Sequence, residues 1–314
     1  MRVIFMGTPD FAVPTLEHIV KAGHEVAAVV TQPDKAKGRG KSVQYTPVKE
    51  KALEYGIRVY QPEKVREASF IQLLKELKPD VMVVVAFGQI LPKAILDIPV
   101  YGCINVHASL LPKYRGAAPI QWAVIRGEKV SGVTTMQMGE GLDDGDMILK
   151  STVTLDAKET GGSLHDKLSI VGAELLIETL GRLEDGSAVR IPQDDSQKGE
   201  YARMLSKDMG KIDFNQDASS IECLIRGLNP WPSAFTLLNG KTLKFWSADV
   251  LDKNYEGQPG EVVEIQKDGF VVKAKEGALK IKELQLEGKK RMSSDAFLRG
   301  YPLEAHMMLG TNKE

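Results

Sequence analysis

Two cysteines in 314 residues, Cys103 and Cys223, leave no basis for a disulfide scaffold. They form no CxxC pair and stand at no metal-ligand spacing, so a reducing cytosol is the expected compartment. An excess of charge of either sign is also missing: 41 Lys and Arg stand against 42 Asp and Glu, a formal net charge of -1. That excludes a histone-like or acidic-tail protein, and any basic surface must be local. Long apolar runs are absent too. The longest uninterrupted one, Val81-Met82-Val83-Val84-Val85-Ala86-Phe87, falls far short of the roughly 20 residues of a membrane-spanning helix. The opening residues 1–7 are expected to form a strand rather than a signal peptide. The 29 Gly and 15 Pro follow no fixed period, which excludes collagen-like and low-complexity chains. What remains is ordinary globular composition over a length that suits two domains of about 100–200 residues each.

The first 180 or so residues alternate strand and helix signals. Strands are expected over residues 2–6, 25–30, 81–87, 101–108 and 132–138. Helices are expected after Asp10, with Leu16, Ile19 and Val20 on one face and Gly23 as the stop, and over residues 116–127 and 171–180. The run 81–87 is apolar at every position, which suits a strand covered on both faces. Such alternation implies right-handed crossovers and a doubly wound parallel sheet. Residues 191–199 are polar and breaker-rich, as linkers are. A helix over 219–228 and short β-rich runs at 235–238, 243–250, 260–266, 270–275 and 279–286 then suggest a small β-barrel. From residue 207 onward 16 basic residues balance 16 acidic ones, yet residues 273–291 carry seven basic and three acidic residues, a local basic stripe.

Two glycine motifs fall short of nucleotide-binding signatures. Gly40-Lys41-Ser42 resembles the end of a P-loop, but Lys35 stands where the first glycine belongs. Gly139, Gly141 and Gly145 are one residue off the dinucleotide fingerprint. Four other stretches carry chemistry. Asn105 and His107 share one face of an apolar strand and read either as satisfied polar residues at a sheet edge or as two donors to one developing oxyanion. Gly141-Leu142-Asp143-Asp144-Gly145-Asp146 is either an exposed turn or a source of a carboxylate that orients a histidine or takes a proton from an ammonium. The apolar loop 109–119 is either a buried crossover or the wall of a pocket for a flat aromatic ligand. Asp34-Lys35-Ala36-Lys37-Gly38-Arg39-Gly40-Lys41 is either a solvated loop or an arm for RNA phosphates. His18, His24, His165 and His306 have no partner motif.

Together these pieces resemble one family. Asn105-Val106-His107-Ala108-Ser109-Leu110-Leu111-Pro112, Tyr114-Arg115-Gly116-Ala117-Ala118-Pro119-Ile120-Gln121, Gly132-Val133-Thr134 and Gly141-Leu142-Asp143-Asp144-Gly145-Asp146-Met147 look like the core of the formyltransferases that use 10-formyltetrahydrofolate. Phe5-Met6-Gly7-Thr8-Pro9-Asp10-Phe11, Thr31-Gln32-Pro33-Asp34 leading into Gly38-Arg39-Gly40-Lys41, and Asn229-Pro230-Trp231-Pro232 are similar to the branch that acts on initiator Met-tRNA. The resemblance spans almost the whole chain. It implies a Rossmann-like α/β formyltransferase domain over residues 1–189, a linker over 190–206 and an OB-like barrel for tRNA over 207–314. It implies transfer of the formyl group of 10-formyltetrahydrofolate, a cosubstrate released as tetrahydrofolate, to the α-amine of methionine on initiator Met-tRNA for translation initiation. Asn105 and His107 would donate to the oxyanion, and Asp143 would orient His107 and help remove the amine proton. Ser109, Leu110, Leu111 and Pro112 would bind folate, and Lys37, Arg39, Lys41, Lys289 and Lys290 would bind tRNA. No metal and no membrane are implied, and a cytoplasmic monomer is expected. Formyl transfer to glycinamide ribonucleotide or to a nucleotide-sugar amine, and a non-catalytic RNA-binding protein, are the competing readings.

Overall fold

A computed structural model of the chain describes residues 1–37 and 42–310. Two compact units result. The first comprises Met1–Pro119, Val130–Thr154 and His165–Ala202, and the second comprises Ile120–Lys129, Leu155–Leu164 and Arg203–Glu314.

The chain opens with β1 (Arg2–Gly7), α1 (Val13–Lys21), β2 (Glu25–Val30), a small hairpin of β3 (Lys35–Lys37) and β4 (Ser42–Gln44), α2 (Pro47–Glu54), β5 (Val59–Tyr60), α3 (Ala68–Glu76), β6 (Val81–Val85), α4 (Lys93–Leu96) and β7 (Cys103–His107). It continues through α5 (Pro119–Ile125), β8 (Val130–Gln137), β9 (Met147–Thr154) and α6 (Gly161–Glu184). Seven strands form one sheet in the order β5-β2-β1-β6-β7-β8-β9. The first five are parallel, as the sequence pattern implies, and β6 is buried at every position.

The last two strands depart from the expected parallel arrangement: β7, β8 and β9 pair antiparallel. The physical reason for the β8–β9 pair is the loop between them. Residues 138–146 are too few for the crossover of a dozen or more residues that a parallel neighbour requires. The strand β9 has no counterpart in the sequence reading, because only its first residues are buried and the rest alternate at a sheet edge.

Alternation along β7 sends its side chains to opposite faces. Cys103 joins Ile4, Met6, Ala28, Met82 and Val84 in one buried cluster, which puts Asn105 and His107 on the same face further along. Val106 faces the other way, toward α6. A Cβ on Gly172 of that helix would lie 2.9 Å from Val106 Cγ1, so glycine lets the helix sit close against the sheet. Thr179 of the same helix shares a 2.8 Å hydroxyl hydrogen bond with Thr135 of β8.

The second unit holds α7 (Ala218–Gly227), β10 (Ala234–Leu238), β11 (Lys241–Leu251), β12 (Val262–Gln266), β13 (Gly269–Lys273), β14 (Ala278–Leu286), β15 (Met292–Ser293) and α8 (Ser294–Gly300). Its sheet runs β10-β11-β14-β13-β12, antiparallel throughout, with β15 on β14. Strand content and antiparallel order match the small barrel expected. Among the described residues, β10 and β12 remain the two ends of the path. Phe245, Phe270, Ile221, Ile225 and Phe297 centre its core.

Candidate active site

The C-terminal ends of the parallel strands β1, β6 and β7 finish at Gly7, Val85 and His107, the side of such a sheet on which ligands bind. His107 is 6% exposed there. Its Nε2 lies 3.0 Å from the Tyr114 carbonyl oxygen. A carbonyl only accepts, so Nε2 carries a hydrogen and donates it. Nδ1 is the other nitrogen, and it stands 3.7 Å from Asp143 Oδ1. Asn105 Nδ2 donates to the same Oδ1 at 3.4 Å, and the Gly116 backbone N–H donates to Oδ2 at 2.9 Å. Thus Asn105, His107 and Asp143 meet around one carboxylate.

Backbone conformation sets up this convergence. Tyr114 has φ 57° and Gly116 φ 119°, a reversal that aims the Tyr114 carbonyl at His107 and the Gly116 amide at Asp143. A side chain on Gly116 would also strike the Ala202 carbonyl and the Tyr201 ring. Asp143 itself sits in the left-handed region at φ 52°, a conformation that Asp tolerates better than most residues. Two neighbouring contacts hold its loop: Gln193 Nε2 donates to the carbonyls of Asp143 and Gly145, both at 2.8 Å.

The expected folate segment is fixed by hydrogen bonds, two of them buried. Thr134 Oγ1 donates to the Ser109 carbonyl at 2.7 Å and accepts from the Leu111 amide at 3.1 Å. Lys150 Nζ donates to the Leu111 carbonyl at 2.6 Å, and burial pushes its ammonium below the ordinary lysine range. The side chains of Ser109, Leu111 and Pro112 are buried, Leu111 among Met136 and Met147, and only Leu110 keeps partly exposed surface. Cys103, two residues before Asn105, offers no nucleophile: burial pushes its thiol up to about 12.

The expected tRNA contacts divide. Arg39 and Lys41 lie outside the described residues, and Lys37 ends β3. Lys289 and Lys290 are exposed in the turn after β14. The stripe 273–291 is less open than its composition suggests. Lys273 is buried on the carbonyls of Lys275 and Gly277, Lys280 and Lys282 pair with Asp268 at 2.8 and 3.0 Å, and Arg291 pairs with Glu283. Among the described residues Lys275, Lys289 and Lys290 carry no ion pair.

Sequence reasoning missed Lys150 and Gln193 as parts of the site; it placed Tyr114, Gly116 and Thr134 in the family core without giving them a role. Tyr114 and Gly116 act through main-chain groups, which leave no mark in a side-chain pattern. Gln193 sits in the stretch expected to be a linker.

The fold and this constellation define a formyl-transferring enzyme. Family profiles agree: one described as "Formyl transferase" matches residues 1–180, and one described as "Formyl transferase, C-terminal domain" matches residues 204–302. The chain belongs to the formyl transferase family. It is 61% identical over 304 residues to the Methionyl-tRNA formyltransferase of Agathobacter rectalis, covering 97% of this chain and 98% of that one. It is 59% identical over 315 residues to the Methionyl-tRNA formyltransferase of Lachnospira eligens, covering 99% of this chain and 100% of that one. Among solved structures, an N-formyltransferase of Helicobacter canadensis in complex with folinic acid and dTDP-3-aminofucose shares the fold, with a TM-score of 0.67 at 19% identity over 89% of this chain and 98% of that one.

Proposed function

We propose that this chain transfers the formyl group of 10-formyltetrahydrofolate to the α-amine of methionine carried by initiator tRNA. The observation that carries the reading is the meeting of Asn105, His107 and Asp143 at the C-terminal end of β7. Identity of up to 61% with relatives named Methionyl-tRNA formyltransferase, over nearly the full length, selects the acceptor.

The donor set fits the folate cosubstrate: an apolar, rigidly held segment lies beside amide and imidazole donors, and acyl transfer to an amine needs charge stabilisation and a proton acceptor. The folate supplies the formyl carbon: its own nitrogen–formyl bond breaks as the amine's forms, and tetrahydrofolate leaves with the proton that the amine gives up. The α-amine, with a pKa of about 7.7–8.0, is partly neutral near pH 7 and able to attack it. Asn105 Nδ2 is one donor for the negative charge developing on the formyl oxygen. His107 keeps Nε2 on Tyr114, so Nδ1 is the ring position left for a second donor, and donation from it takes the doubly protonated ring. Asp143, anchored through Oδ2 to the Gly116 amide, fixes the approach of both side chains and stands ready for the proton shed by the amine.

Residues 1–189 hold the chemistry in this reading, and residues 207–314, with Lys289 and Lys290 outward, add phosphate attraction for the tRNA. Lys37, Arg39 and Lys41 approach the acceptor end, Ser109, Leu110, Leu111 and Pro112 back the folate, and the enzyme works as a cytoplasmic monomer. No helix among the described residues is long and apolar enough to cross a membrane. Formyl transfer from labelled 10-formyltetrahydrofolate to Met-tRNA, glycinamide ribonucleotide and a nucleotide-sugar amine tests the proposal: transfer to Met-tRNA alone is expected, and transfer to either small amine without Met-tRNA would overturn it.

A further inference from the structure

The polar stretch after α6 is bonded along the first unit rather than hanging from it. Ile191 makes two backbone hydrogen bonds with Met147 at 2.9 and 2.8 Å. Ala202 accepts from the Ala118 amide at 3.1 Å and donates to the Arg115 carbonyl at 2.8 Å. Between these ties Gln193 is the one residue of 191–200 that is half-buried rather than exposed. Its two amide hydrogens end on the carbonyls of Asp143 and Gly145, and its Oε1 accepts from Arg115 Nε at 2.9 Å. Arg115 is itself held by Asp195 at 2.7 Å.

All polar atoms of the Gln193 side chain are therefore committed, and each commitment touches a part of the site. The carbonyls belong to the loop that carries the Asp143 carboxylate. Arg115 lies between Tyr114, whose carbonyl receives His107, and Gly116, whose amide donates to Asp143. A side chain with donors at one end and an acceptor at the other thus ties the Asp143 loop to the 114–116 loop. We infer that Gln193 is a positioning residue for formyl transfer: it fixes the distance between the loop that carries the Asp143 carboxylate and the 114–116 loop that holds His107. The inference rests on the reading of Asp143 as a catalytic group. A displacement of about 1 Å at a reacting group costs on the order of 10²-fold in rate, which sets the scale of the effect.

The test is Gln193→Met, which keeps length and removes both donors and the acceptor, together with Gln193→Glu, which keeps the acceptor but sets a carboxylate against two carbonyls. Single-turnover formylation of Met-tRNA is measured with enzyme in excess, alongside the thermal melt and tetrahydrofolate affinity, in wild-type and Asp143→Asn backgrounds. Gln193→Met should slow transfer about 10- to 100-fold, leave folate affinity within about twofold and leave the melt nearly unchanged; Gln193→Glu should slow it at least as much. In the Asp143→Asn background Gln193→Met should add little, because a residue acting through Asp143 has nothing left to position. A slow Asp143→Asn enzyme slowed by the full factor again, or Gln193→Met with wild-type turnover, would overturn the inference. An Asp143→Asn enzyme with wild-type turnover would instead overturn the catalytic reading of Asp143 on which it rests.

Discussion

Replacing Thr134 by valine removes one hydroxyl and almost no volume, yet it unties the segment expected to back the folate. In the wild type that hydroxyl donates to the Ser109 carbonyl and accepts from the Leu111 amide, and both bonds are buried. Valine satisfies neither backbone group, and each orphaned buried group costs about 1–3 kcal/mol. The expected loss is therefore about 2–6 kcal/mol, a large fraction of the roughly 5–15 kcal/mol that holds a domain folded. Thr134→Ser is the control, since it keeps both bonds and gives up one buried methyl, worth about 1 kcal/mol. Guanidinium denaturation should be followed by circular dichroism, because Trp122, Trp231 and Trp246 all lie in the second unit and their fluorescence would report on that unit. Stability should fall from wild type to Thr134→Ser to Thr134→Val. The apparent KM for 10-formyltetrahydrofolate should rise several-fold in the valine variant, and that for Met-tRNA should stay near wild type. A valine variant as stable as the serine one would refute the reasoning, because the two hydrogen bonds would then contribute nothing.

Four further outcomes are expected. His107→Ala should lower kcat about 10²–10³-fold, the scale for one oxyanion donor, with folate affinity little changed; normal turnover in a folded variant would remove His107 from the mechanism. Arg39→Ala should cut kcat/KM for Met-tRNA and blunt discrimination between initiator and elongator tRNAs, with only partial rescue by Arg39→Lys. Neutralising Lys289 and Lys290 should instead weaken all tRNAs alike and reduce the salt slope by about one per lost phosphate contact, and salt titrations of affinity for each variant separate the two patterns. Acid should expose the Asp34 carboxylate: burial pushes it up, but hydrogen bonds from Lys49 and Gln61 outweigh burial and hold it below the ordinary value. A depressed carboxylate contributes stability above its unfolded value and loses that contribution as pH falls through the folded one. The melting gap between wild type and Asp34→Asn should accordingly be present near neutrality and close in acid, and a gap that widens in acid would contradict it.

Side-chain periodicity made much of the site legible. The i, i+2 spacing of Asn105 and His107 placed them on one strand face, and the fully apolar 81–87 run marked a central strand, both of which the structure bears out. The choice of Asp143 over Asp144 and Asp146 came from family resemblance, because nothing in a run of three carboxylates says which one turns inward. The 191–199 stretch looked like a linker because its composition is polar and its partners are main-chain carbonyls far away in sequence. The stripe at 273–291 looked more basic than it is because Asp268, which neutralises two of its lysines, lies outside it. Leu111 reads from sequence either as part of a buried crossover or as a ligand wall, and its side chain packs into a small core with Met136 and Met147 that no local periodicity announces.

The bridge between Ile191 and Met147 bears on how the catalytic unit can be cut free. The strand β9 is eight residues long and forms one margin of the seven-stranded sheet. An uncovered margin of that length is a template on which a second molecule can add a strand, the usual start of aggregation. Ile191 occupies the head of that margin with two hydrogen bonds. A chain stopped at residue 180, where the family profile ends, leaves the margin bare and loses Gln193 as well. A chain carried through Ala202 keeps both, so the physical end of the catalytic unit lies some twenty residues beyond the point at which its sequence signature fades.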